Sequence, residues 1–269
     1  MALSSATHHV LTDAAQWRHL MLREGLLPRA LASEAASADA TELTVRCEAP
    51  CCPEVAQYLS RLAQRLAFDE NVLVVSGDIG TISSVGNGIP VDCLVFPTSA
   101  YLRNPHVGAA GCVHARAGSE LDRHIADRLG ARLPLPVGST TLTPAFNADI
   151  HSLIHCIGPS GMAHNRELLL YTTYINALAA FEKDLTVQCA AIASISTGIN
   201  QFPIEDAATV AISAVRDMIR SRQWTKVVAF VCVDAELQAA LESAKATARI
   251  TLFHGGYTYP DVITVVPPP

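Results

Sequence analysis

A chain of 269 residues that is 50% hydrophobic and 16% charged carries enough apolar material for a substantial core, which excludes an intrinsically disordered protein. With 19 Lys+Arg against 25 Asp+Glu the net charge is −6, so neither nucleic acid nor an anionic membrane surface is expected as a partner. Any anionic ligand has to be held by local devices such as backbone N–H groups.

The first 66 residues read as a helical extension. Ala14 to Leu22 and Pro53 to Leu66 have helical patterning, the second with a proline in its first turn, and ALASEAASADATE between them is a low-complexity linker. The opening is Ser/Ala-rich with Arg18, Arg23 and Arg29, a faint likeness to a transit peptide that Asp13 and Glu24 interrupt. A cytoplasmic location is expected over a mitochondrial one. No apolar run approaches the roughly 20 residues that span a bilayer. Cys47, Cys51 and Cys52 cluster in CEAPCC, but no Cys/His pair lies near them at ligand spacing, so loop thiols are expected rather than a metal clip. The other five cysteines sit singly among apolar residues, the pattern of free thiols in a reducing compartment.

From 67 to 245 short apolar runs alternate with amphipathic segments. Strands are expected at VLVVS, DCLVF, STTLTPAF, HSLIHCI, CAAIASI and KVVAFVCV, and helices near 118–129, 165–182, 204–221 and 234–244. That alternation predicts an α/β layered domain with a mixed, mostly parallel sheet. Residues 246–269 have β-branched and aromatic runs broken by Gly255-Gly256 and Pro260, expected as an edge strand and loose tail. Ligands bind beyond the carboxyl ends of strands in such sheets, which singles out the loops 76–79, 96–114 and 196–203.

In the last of these, STGINQFP lies between a buried strand and a helix that opens with Glu205 and Asp206, acids placed where the helix dipole favours them. An STG turn alone is an ordinary strand-to-helix connection. The series is more specific: GDI, VDCLVF, GCVHARAG with SEL, TPAFN, HSLIHCIGP, ELLLYTTYINAL and STGINQFPIEDAATVAI occur in one order. It resembles the macro domain family, the ADP-ribose-binding α/β fold, over roughly Val72 to Leu241. The nearest subgroup is the longer form with a helical N-terminal extension, found in some microbial and protozoan members and sometimes zinc-containing.

The resemblance implies a three-layer α/β/α domain whose partner is ADP-ribose or an ADP-ribosylated protein, with no cofactor. It implies that Asp78 accepts a hydrogen bond from the adenine amino group and that the Ile79 N–H reaches the ring. Ser196, Thr197, Gly198, Ile199 and Asn200 match the diphosphate loop, and Ser99 and Gly108 match binding positions after the second strand. Departures put hydrolysis in doubt. Phe96-Pro97-Thr98-Ser99 replaces NAAN, Ala110 replaces the Asp that many hydrolases carry, and Asn200 stands where Tyr or Phe is usual. Recognition is therefore expected first, removal of mono-ADP-ribose from proteins second and a non-binding scaffold third. His106, Cys112 and His114 lack the zinc subgroup's spacing, and no metal site is expected. Outside these motifs His151, His155, Tyr171, Tyr174 and Phe202 read as structural, Arg103 and Arg116 as solvated or phosphate-clamping, and Asn147 as a turn or ribose contact.

Overall fold

The computed structural model describes residues 13–24, 26 and 53–253. Helices α1 (Ala14–Arg23) and α2 (Pro53–Asn71) precede strand β1 (Val72–Ser76). A small hairpin, β2 (Ser84–Val85) and β3 (Ile89–Pro90), leads into β4 (Cys93–Pro97), α3 (Gly108–Ala117) and α4 (Ser119–His124). Then come β5 (Thr140–Pro144), β6 (Ser152–Cys156), α5 (Arg166–Lys183), β7 (Cys189–Ala193), α6 (Ile204–Ser221), β8 (Val227–Cys232) and α7 (Ala235–Ile250).

The six long strands form one sheet in the order β1-β8-β7-β4-β6-β5. All neighbours are parallel except β5, which runs antiparallel to β6 at the edge. The central strands are buried on both faces, which is why SLIHC and CAAIA read as continuous runs rather than alternating ones. The side chains of β4 part to the two faces. Cys93 and Val95 join the core under α5, α6 and α7, whereas Leu94 and Phe96 join the one under α3 and α4. This is the expected mixed, mostly parallel sheet between two helical layers.

Met21 and Leu26 from the α1 region and Phe68 of α2 enter the first of these cores, so α1 and α2 pack on the α5–α7 face. Arg61 and Arg65 of α2 donate to the carbonyls of Leu26 and Glu24 at 2.7 Å each and lie over the Phe253 ring just past α7. The buried Lys226 ammonium caps the end of α5, donating to Phe181 O at 2.7 Å and Asp184 O at 2.6 Å.

Some elements differ from the sequence reading. Residues 108–117, of which 108–114 are expected as loop, are helix α3. GAAGCVHARA has two glycines, weak periodicity and no side-chain N-cap, and the helix is held by burial of Ala110, Val113 and Ala117. The helix expected over 118–129 starts at Gly118 with φ +80° and loosens into a wider turn at Ile125–Leu129. At the other end α7 continues to Ile250, so 246–250 is helical where a strand is expected from the sequence. CEAPCC, the linker and residues 254–269 lie outside the described residues.

Candidate functional site

The 76–79, 96–108 and 194–203 loops all emerge beyond the carboxyl ends of β1, β4 and β7. After β1 the Gly77 N–H extends the ladder to Cys232 O at 2.9 Å, and the chain turns on Asp78. Its carbonyl accepts from Thr81 and Ile82, and its Oδ1 accepts from the Gly80 N–H at 2.8 Å. Ile79 is buried beneath, while Asp78 stays exposed. Gly80 lies against α3, where an added Cβ would stand 2.8 Å from Cys112 Cβ. One Asp78 oxygen therefore sets the turn and the carboxylate remains on the rim.

Beyond β7 the chain makes two left-handed residues, Ser196 at φ +72° and Gln201 at φ +51°. Three of the loop's carbonyls are occupied: Phe202 N–H donates to Ser196 O at 3.0 Å, Gln201 N–H to Gly198 O at 2.9 Å and Gly161 N–H to Asn200 O at 2.7 Å. Among the described residues the N–H groups of Ser196, Thr197, Gly198, Ile199 and Asn200 have no protein acceptor. Five consecutive donors without a protein acceptor at one turn, with Ser196 itself buried, are the kind of backbone feature that suits an anion. Gly198 faces open space and Ile199 is 86% exposed. The Asn200 amide is committed, donating to Gly158 O at 3.2 Å. Ser196 Oγ and Thr98 Oγ1 are buried without a protein partner among the described residues.

Between β4 and α3 the exposed Ser99 accepts through its carbonyl from Leu102 N–H at 2.9 Å and through its hydroxyl from Arg103 N–H at 3.4 Å. Asn104 Oδ1 accepts from His106 N–H at 2.9 Å. Gly108, at φ +62°, opens α3 without a side-chain cap, so first-turn N–H groups are left at the loop. Gly111 is pressed against the His106 backbone, where a Cβ would lie 2.7 Å from its carbonyl carbon.

Phe96 is directed inward. Its ring packs 4.7 Å from His155 and 6.5 Å from His114 in the core beneath α3. His114 Nδ1 pairs with Asp122 at 2.7 Å and His155 Nε2 with Thr143 at 3.0 Å. Burial first, and then the neighbouring His114 and His124, push the His155 pKa down to about 3, so this ring is neutral. Arg116 binds Ala148 O and Ile82 O at 2.8 Å each and so ties loops together, while Arg103 stacks on Tyr101. Tyr174 OH takes the Ile195 N–H at 3.1 Å, Tyr171 OH donates to Asp217 at 3.0 Å, and Phe202 is buried. His151 sits exposed beside Thr186, and Asn147 lies against Gly118.

Sequence reasoning misses the β6–α5 loop. Gly158, Gly161 and Arg166 brace the 196–202 turn, and the only local sign of it is the GPSG before α5.

The family model for the macro domain matches residues 97–211. An O-acetyl-ADP-ribose deacetylase of Escherichia fergusonii is 30% identical over 165 residues, 61% of this chain and 88% of that protein. A macro domain-containing protein of Cupriavidus necator is 31% identical over 172 residues, 62% of this chain and 92% of its own length. Among solved structures, the Oceanobacillus iheyensis macrodomain with MES bound has a TM-score of 0.58 at 23% identity, covering 65% of this chain and 89% of that one. The Trypanosoma brucei macrodomain in complex with ADP-ribose has a TM-score of 0.56 at 17% identity, covering 90% of this chain and 91% of its own. At those identities the structures speak to fold alone. With the sheet order, the loops at its carboxyl edge and relatives at 30% identity all in agreement, this chain belongs to the macro domain family.

Proposed function

We propose that this macro domain recognises ADP-ribose, free or on a protein. Asp78 and Ile79 read the adenine, the 196–200 loop takes the diphosphate, and Ser99 and Gly108 flank it on the β4–α3 side. The observation that carries the reading is the run of five unpaired N–H groups from Ser196 to Asn200. On a chain of net charge −6 such a cradle supplies the attraction to an anion that the overall field does not. The relatives named as O-acetyl-ADP-ribose deacetylases favour hydrolysis as the second reading. The exposed His106 is the ionisable group of the altered loop to examine for it.

Residues 1–66 are proposed as an extension, 67–245 as the ligand-binding domain and 246–269 as a tail. No described helix is long and apolar enough to cross a membrane. A cytoplasmic setting is part of the proposal, supported by five unpaired thiols among the described residues.

Calorimetry with ADP-ribose tests recognition, and incubation with mono-ADP-ribosylated protein tests hydrolysis. Asp78→Asn separates the two jobs of this side chain, because the amide oxygen still accepts the Gly80 N–H while the free carboxylate oxygen offered to an adenine amino group becomes an NH2 donor. The variant is expected to melt like the parent and to bind ADP-ribose about tenfold more weakly, the scale of a hydrogen bond to a charged group. Ribose 5-phosphate affinity is expected to stay unchanged. Equal ADP-ribose affinity in parent and variant removes Asp78 from the base site.

A further inference from the structure

The 196–200 loop, whose N–H groups have no protein acceptor among the described residues, is held from its far side, and that support converges on one cation. The Arg166 guanidinium opens α5 and makes three contacts. Nη1 donates to Gly161 O at 2.8 Å, Nη2 to Asp206 Oδ2 in the first turn of α6 at 2.9 Å, and Cζ lies over the Phe202 ring, 5.3 Å from its centroid. The Gly161 N–H in turn donates to Asn200 O at 2.7 Å. Gly161 is seated so tightly that a Cβ there would lie 2.6 Å from the Gln201 carbonyl carbon and 2.8 Å from Phe202 Cα. Asn200 closes the join from the other side through its amide on Gly158 O. Two loops and the start of α6 are thus fixed to each other through one planar fork.

We propose that Arg166 is a positioning residue for the diphosphate loop, setting its anion affinity without touching the ligand. The proposal rests on the reading of residues 196–200 as an anion cradle. The ion pair contributes little by itself, since both side chains are partly exposed at 35% and 43%. The fork geometry is what matters: a guanidinium can bond Gly161 and Asp206 in one plane while stacking on Phe202, and an ammonium cannot do all three. If instead Arg166 acted only as a nearby positive charge, lysine would serve as well.

The test compares the full chain with Arg166→Gln and Arg166→Lys by amide hydrogen exchange without ligand and by calorimetry with ADP-ribose and adenosine. In the free protein both variants are expected to exchange the Gly161 and Phe202 amides about tenfold faster, as a local opening becomes easier. Both are expected to lose about tenfold in ADP-ribose affinity while adenosine binding holds, the split that separates a loop effect from general destabilisation. Unchanged exchange in Arg166→Gln overturns the proposal, and so does parental ADP-ribose affinity in Arg166→Lys. An equal loss for ADP-ribose and adenosine also overturns it. If the parent protein itself fails to bind ADP-ribose, the functional reading falls, and the exchange rates still decide whether Arg166 positions the loop.

Discussion

Replacing His155 with leucine is expected to flatten the acid side of the stability profile, with a difference from the parent of about 3 kcal/mol between pH 7 and pH 4. His155 is fully buried, and its pKa is pushed down to about 3 by burial, with His114 and His124 adding to the effect. The unfolded chain takes up the proton near pH 6.5 while the folded one refuses it until about pH 3. Unfolding therefore becomes easier as pH falls through this window, by up to about 1.4 kcal/mol per pH unit from one group. The contribution is fully present above pH 6.5. The groups facing the ring are His114, whose Nδ1 is held by Asp122, together with Thr143 and Phe96. Leucine leaves Thr143 Oγ1 without its partner, so the variant carries Thr143→Val as well, an apolar pair replacing a hydrogen-bonded one. Urea midpoints of the parent and the double variant at pH 7, 6, 5 and 4 check the result. Parallel curves would mean that His155 titrates normally in the fold.

His155 also marks how far the amino-acid sequence alone can be read. HSLIHC is legible as a core strand and its histidines as structural, because a strand buried on both faces has to be apolar nearly throughout. The central strands CAAIA and VVAFVC are legible for the same reason. Helix α3 is not, since GAAGCVHARA owes its form to packing against the sheet rather than to propensity or a cap. The inward turn of Phe96 is equally hidden. In sequence it replaces a polar position next to the crevice, and only the parity of β4 puts its ring on His155.

At the site the GDI and STGIN loops stand out because each places small or acidic residues immediately after a strand. Sequence does not show which peptide groups are spoken for. That the carbonyls of Ser196, Gly198 and Asn200 are all occupied while the N–H groups of 196–200 have no protein acceptor among the described residues follows from hydrogen bonds that include one to Gly161 in another loop. Arg166 is invisible in the sequence for the same reason: its partners lie 5 and 40 positions away. A brace between loops leaves no periodicity and no motif.

Gly161→Ala is where that brace should fail most visibly. The new Cβ would meet the Gln201 carbonyl and Phe202 Cα, backbone atoms with no rotamer into which to retreat, so one loop has to move. Because Gly161 also carries the bond to Asn200 O, the displacement reaches the last residue of the cradle directly. We expect ADP-ribose affinity to fall about a hundredfold, with adenosine binding at Asp78 nearly intact and stability lower by about 1–3 kcal/mol. Gly198→Ala is the informative companion, since its Cβ enters open space and the free protein should be unaffected. Any loss it shows comes from the ligand meeting the methyl group rather than from a displaced loop. Calorimetry with both ligands on both variants separates these causes. Full ADP-ribose affinity in Gly161→Ala would mean either that the 158–166 loop yields without moving the cradle or that the diphosphate is held elsewhere along the sheet edge.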